Sequence, residues 1–329
     1  DRITESSYPW AMRSRLLVAA MAALPMTLVA QALPPYVPTN PVLASRSPLY
    51  AQPIVDRRPG WHTAVTLDYG NAIETSTATD GRTYLFDAET SQVDLWLGRD
   101  LGDDWFSLVN VPIRGAHDGW VDAFLNGYHD LIGIPVPARN RRPIDTYGWV
   151  IELPDGVRDL PRASGPFLGD LRVAMGRRLG AGQLVLSATL PTSTASVDAW
   201  SRGTVGLSLS AGTRVLSTPR VRIEAAVMAG FTPTTGDLTA YQRTSFVGAS
   251  SSLWWRFWGQ QAIYGTFFLQ SAGWKGTGFS AMEAAEFTLD AGGLLRLRSG
   301  WPALQLGITE DLVPRGPAVD IAARIGLVW

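Results

Sequence analysis

From Trp61 onward, apolar and polar side chains alternate in runs of about ten residues or more, separated by Gly, Pro, Asp and Ser. A period of two marks strands whose two faces meet different surroundings. The closing run VDIAARIGLVW is typical: Val319, Ile321, Ala323, Ile325 and Leu327 share one face, and Asp320 and Arg324 fall on the other. The pattern predicts strands over 61–74, 82–99, 104–114, 168–179, 182–192, 202–215, 219–232, 243–257, 260–271, 284–298, 302–311 and 318–329. Twelve is an even number, as a bacterial single-chain barrel requires.

Every second connection is tight, at Gly102-Asp103, Gly180-Ala181, Ser217-Thr218, Gly259 and Ser299-Gly300. The connections between them, 75–81, 115–167, 193–201, 233–242 and 272–283, are longer. Short turns on one rim and long loops on the other predict an all-β fold, a transmembrane antiparallel β-barrel of about 12 strands over 61–329. Aromatic side chains sort by strand end. Trp61, Trp96, Trp105, Trp254, Trp255, Trp258, Trp301 and Trp329 fall near the short-turn, periplasmic rim; Tyr69, Tyr84, Trp200, Tyr241, Trp274 and Phe279 fall near the outer rim. Two aromatic girdles are expected of a bilayer protein.

Parity separates lipid from lumen. In GDLRVAMGRRL, Leu171, Val173 and Met175 face one way, and Asp170, Arg172 and Arg178 the other. Arg222, Glu224 and Arg256 behave alike in the middle strands, as do Glu286, Asp290, Arg296, Arg298, Asp320 and Arg324 in the last three. A charge facing lipid at the midplane costs about 2–4 kcal/mol, so all are assigned to the lumen lining. Mixed charge there allows either a salt-bridged filling or a polar path for small solutes.

Ahead of the strands, MRSRLLVAAMAALPMTLVAQA (12–32) has a basic head, a short apolar middle and small residues at its end. That is the form of a cleaved secretory signal peptide, with residues 1–11 read as an upstream non-native extension. Residues 33–60 hold seven prolines and no period, and are expected to form an extended periplasmic arm.

Composition adds exclusions. The chain has no cysteine, a net charge of −1 and a single lysine, Lys275. Disulfides, thiolate metal sites and cysteine nucleophiles are therefore absent, and no basic field calls for nucleic acid.

The connection 115–167 predicts a helix over 119–132, capped by Asp118 and ended by Gly133 and Pro135. Trp120, Phe124, Tyr128 and Leu131 form one stripe; Asp118, Asp122 and His129 gather opposite, beside Leu125 and Ile132. The stripe is expected to bury itself in the barrel mouth or against its wall. Trp120, Asp122, Phe124, Tyr128, His129 and Asp130 then form either a constriction or a structural cover. Asp118, Asp122 and His129, with His117 as a further ligand, are weak candidates for a divalent ion, although solvated polar residues are the commoner outcome. Arg139, Arg141, Arg142 and Arg158 make the loop basic, able to gather anions or grip lipopolysaccharide phosphates, or simply to sit in solvent.

Three stretches carry a resemblance to a family: LASRSPLYAQP, LFDAETSQVDLWLGRDLGDDWF and GWVDAFLNGYHDLIGIPVPARNRR. They resemble the bacterial family known as domain of unknown function 3187, over roughly residues 40–190. The resemblance implies a secreted barrel and brings no activity or site residues.

The expected function is passage of a small hydrophilic or amphipathic solute through the bacterial outer membrane. A filled, structural or assembly barrel is the alternative. A lipid hydrolase ranks third: only His62, His117 and His129 exist, no serine motif adjoins them, and no P-loop, GxGxxG or GxSxG lies in the required context. No cofactor is expected. The expected partners are outer-membrane lipid, lipopolysaccharide and the outer-membrane assembly machinery, for which Trp329, Leu327 and Ile325 resemble the terminal assembly signal.

Overall fold

The computed structural model describes residues 33–57, 59–132, 142–298, 300–313, 317 and 319–329. The expected signal peptide at 12–32 and the extension at 1–11 lie outside the described residues.

Twelve strands close into an antiparallel ring. They are β1 (Trp61–Thr77), β2 (Thr83–Gly102), β3 (Trp105–His117), β7 (Arg172–Leu179), β8 (Gly182–Thr189), β9 (Gly206–Ser217), β10 (Val221–Phe231), β11 (Ser245–Trp258), β12 (Gln261–Gln270), β13 (Glu286–Leu295), β14 (Ala303–Asp311) and β15 (Ile321–Val328). The last strand lies on the first, from Ala64↔Val328 to Asn71↔Ile321, which removes both sheet edges.

The loop read at 115–167 contains three further short strands: β4 (Gly148–Leu153), β5 (Gly156–Asp159) and β6 (Phe167–Leu168). Their cause is a length mismatch. β3 reaches only to His117, opposite Glu89, so the upper end of β2 has no partner on that side. β4 supplies one, placing Trp149 on Phe86 and Ile151 on Tyr84.

Outward side chains form an apolar band that includes Leu67, Val173, Met175, Leu209, Val227, Phe267, Leu306 and Ile325, all exposed. Such a band suits acyl chains, not water. Trp61, Trp105, Trp255, Trp258 and Trp301 stand exposed at the turn end. Trp96 and Trp254, assigned to that girdle, point inward, because they share parity with Asp94 and Ser252. The expected outer girdle is also largely absent. Tyr84, Trp200, Trp274 and Phe279 are buried with Trp149 and Met282 in a core that caps the loop end. Val319, assigned to the lipid face, precedes β15 and is buried. No helix among the described residues is long and apolar enough to cross a membrane.

Candidate functional site: a hairpin inside the barrel

The segment expected to be a periplasmic arm lies inside the ring. Residues 33–52 are buried throughout, and most of 53–57 are at least partly so. The segment enters at the turn end, where Leu33 packs with Ala64, Trp96 and Val328. It rises to a one-turn helix, α1 (Pro41–Ala44), under the loop-end core, then descends. Tyr36 and Ala51 exchange N–H···O bonds of 3.0 Å, tying the rising and descending limbs together.

The prolines explain why this peptide can be buried. Each removes an N–H that would otherwise need an acceptor in the interior. Many of the remaining polar groups find partners on the wall. Arg202 donates from Nη2 to the carbonyls of Ala44 (2.9 Å) and Ser47 (2.8 Å), and from Nη1 to that of Arg46 (2.8 Å). Trp274 Nε1 donates to Val42 O at 2.7 Å, and Asn40 Nδ2 donates to Glu74. On the descending limb, Ile54 N donates to Glu224 and Val55 N to Gln183, each at 2.9 Å. Small wall residues give the limb room: a Cβ at Gly230 would stand 2.6 Å from Pro48 Cγ.

The residues assigned to the lumen fall into three groups. Arg172, Arg178, Glu224, Glu286, Asp290, Arg296 and Arg324 are buried inside. Arg324 bridges Asp68 (2.7 Å) and Asp290 (2.9 Å), across the seam between β15 and β1. Arg178 pairs with Asp100 at 3.1 Å and donates from Nε to Val55 O. Glu286 accepts from Gln270 and from Tyr36 of the hairpin. Arg222, Asp170 and Asp320 are half-buried, Arg222 lying 3.4 Å from Asp56 of the hairpin. Arg256 and Arg298 are exposed, at strand ends where parity no longer decides the surroundings.

The loop helix corrects a second expectation. It spans Asp122–Ile132 (α2) and turns its polar side inward. Trp120 (72% exposed), Phe124 (70%) and Leu131 (85%) face outward, whereas Asp122 and Leu125 are buried. The reason lies on the wall. Odd-numbered side chains of β1 and β2 point out of the barrel, and there Asn71 Nδ2 donates to Asp122 at 2.8 Å. Glu89 Oε1, in place of Asp118, accepts from the N–H groups of Trp120 (3.0 Å) and Val121 (2.8 Å). The helix therefore lies on the outside of the barrel, and no constriction forms from it. Tyr128 is half-buried; the side chains of His129 and Asp130 lie outside the described residues. Of the weak metal candidates, Asp118 pairs with Arg162, and Asp122 is held by Asn71 and Asp145 N.

Arg142 of the basic loop pairs with Asp87 at 3.1 Å, and Arg158 with Asp155 at 3.0 Å; Arg139 and Arg141 lie outside the described residues. His117 Nε2 lies 2.8 Å from Ser91 Oγ, a neighbour supplied by strand register and invisible in a linear motif. Glu89, in register beside His117, spends its oxygens on Tyr69, Trp120 and Val121, so it does not orient the imidazole. At the loop end, burial alone would raise the Glu283 carboxyl, but donors on Thr277 and Gly278 hold it below the usual range.

Replacing Glu89 with Ala should free the start of α2, at a cost of roughly 1–3 kcal/mol. Limited proteolysis should then cut within 118–147 while the barrel stays intact. Unchanged protection would show that Glu89 does not hold the helix.

No family model and no curated protein matches the chain. Among solved structures, the COG4313 outer membrane channel from Pseudomonas putida F1 is similar, with a TM-score of 0.52 at 14% identity over 84% of this chain and 99% of that one. The chain has the fold of an outer-membrane barrel. Weaker likenesses include the P. putida toluene transporter TodX (TM-score 0.40, 10% identity, 89% and 92% covered) and the β domain of the Bordetella autotransporter BrkA (TM-score 0.41, 12% identity, 82% and 98% covered).

Ile325 and Leu327 face outward on β15, and Trp329 N donates to Thr63 O at 2.9 Å beside the turn-end opening. That opening is lined mainly by apolar groups, among them Leu33, Pro34, Trp96, Leu108 and Val328.

Proposed function

We propose that the chain is an outer-membrane channel for a small amphipathic solute, gated by its own 33–57 hairpin. One observation carries this reading: the wall closes without the hairpin, and the hairpin fills the path that the wall encloses. It is held by hydrogen bonds, ion pairs and packing, which are reversible, and contributes no strand to the ring. The likeness to a solved outer-membrane channel supports the same class. Apolar groups at both ends of the path, Trp96 and Leu108 below and Trp149, Trp200 and Phe279 above, favour an amphipathic solute over a purely hydrophilic one.

The absence of cysteine allows a clean test. A Cβ at position 206 would stand 3.1 Å from that of Pro48, within a few tenths of an ångström of a disulfide's span. The double variant Pro48→Cys/Gly206→Cys should be silent in planar bilayers when oxidised and should regain solute-permeable openings on reduction. Equal conductance in both states would show that the hairpin is not the gate. A silent protein in both states, together with silence after deletion of residues 33–56, would favour a permanently filled, structural barrel.

A further inference from the structure

One cavity inside the barrel has an unbalanced chemistry. It lies between the hairpin and the wall of β3 and β7, and three guanidinium groups line it: Arg114, Arg172 and Arg202. Asp170 is the carboxylate that shares the lining; its charge acts on all three guanidinium groups, but its oxygens accept from backbone N–H groups and form no ion pair with them. Oδ1 accepts from Ser193 N at 3.1 Å and Oδ2 from Arg202 N at 2.8 Å. Asp94, the carboxylate whose charge acts most strongly on Arg114 and Arg172, forms no ion pair with either and accepts from the amides of Gln92 and Asn110.

The arginines are therefore left short of acceptors. Arg114 makes no hydrogen bond and no ion pair among the described residues, and its Nε is buried without a partner. Arg172 stacks 4.1 Å over the Tyr50 ring and reaches Thr189 at 3.4 Å, leaving Nη1 bare. Arg202 has three good acceptors on the hairpin but an unpartnered Nε. Buried guanidinium groups without acceptors are costly, and native interiors rarely leave them so.

We infer that this cavity is a binding site for the carboxylate of a small organic anion, held by Arg114 and Arg172. Guanidinium forks match a planar carboxylate in charge and in paired N–H geometry. Val37, Pro38, Leu49 and Pro112 border the cavity and Asn110 supplies an amide; the free space holds little more than the carboxylate itself, so the rest of the molecule takes room that the hairpin limb gives up as it moves. The site borders the limb that the proposed gate must move, so the inference deepens the channel reading and rests on it: the permeant solute carries a carboxylate.

Isothermal titration of the detergent-folded full chain tests this with three probes: benzoate, its neutral analogue benzamide, and inorganic phosphate. Benzoate should bind saturably at one site per chain, benzamide should not compete, and phosphate should bind more weakly. Arg114→Gln should weaken benzoate about tenfold or more, because it removes one charge-assisted contact. Arg114→Lys should retain part of the affinity, and Arg256→Gln, at the exposed rim, all of it. Arg114 holds nothing in place, so its variants should fold; heat-shifted migration on gels checks this directly. Equal benzoate affinity in folded Arg114→Gln, or no saturable binding at all, would overturn the inference. Phosphate binding tighter than benzoate would overturn the assignment to an organic carboxylate. Bilayer conductance of the reduced Pro48→Cys/Gly206→Cys protein without benzoate separates the two readings: openings with no benzoate binding sink only the anion site, and a silent barrel sinks the channel.

Discussion

Replacing Arg202 with Ala should release the hairpin and convert a closed barrel into a conducting one. This one side chain supplies donors to three carbonyl groups around the hairpin's turn, at Ala44, Arg46 and Ser47. Without it, each carbonyl sits in the interior lacking a donor, at roughly 1–3 kcal/mol apiece. Relief of the buried charge offsets part of that loss. A net shift of about 3 kcal/mol would change the open-to-closed ratio about a hundredfold. Single-channel recording should show long openings where the parent shows rare ones, and protease added from the periplasmic side should cut within 33–57. Arg202→Lys should rescue little, since one ammonium cannot span three carbonyls arranged for a fork. Parent-like closure in Arg202→Ala would show that packing and the hairpin's other wall contacts, such as Trp274 to Val42 O and Ile54 N to Glu224, hold it without Arg202.

The second large effect should come from Arg324→Met, and it should fall on folding rather than gating. Arg324 lies between Asp68 on β1 and Asp290 on β13, and all three are buried. Removing the cation leaves two carboxylates facing each other across the seam, and breaking a buried pair costs about 3–5 kcal/mol. Urea unfolding in detergent or lipid should move to markedly lower denaturant. Neutralising the acids in Arg324→Met/Asp68→Asn/Asp290→Asn should recover most of the loss. A single variant as stable as the parent would mean that water reaches the triad.

How far the sequence carried the reading differed by element, for physical reasons. The strands were legible because a bilayer outside and a polar network inside impose a strict period of two. Val173 and Met175 against Arg172 and Arg178 keep that alternation in the structure. The hairpin was not legible, because a proline-rich segment has no period and takes its partners from strands distant in sequence. A hint existed in the inward acids and amides, Glu74, Gln183, Glu224 and Gln270, which offer hydrogen-bonding groups to whatever fills the interior. The helix was placed within a few residues, but its buried face was inverted. In water an aromatic stripe seeks cover. Beside a membrane the same stripe can face outward, while Asn71 and Glu89 recruit the polar face. The anion site was invisible because Arg114 was not among the assigned lumen residues, and its lack of an acceptor is a property of the folded interior.

The hairpin's contacts also constrain the order in which this chain can assemble. Its wall acceptors include Glu74 of β1, Gln183 of β8, Glu224 of β10, Gln270 of β12 and Glu286 of β13. No two or three strands present that surface. The first described segment to leave the ribosome therefore has its docking surface only when the ring is nearly complete. Biogenesis must hold an undocked peptide beside a half-built wall, and the closing of the seam and the seating of the hairpin become one late event.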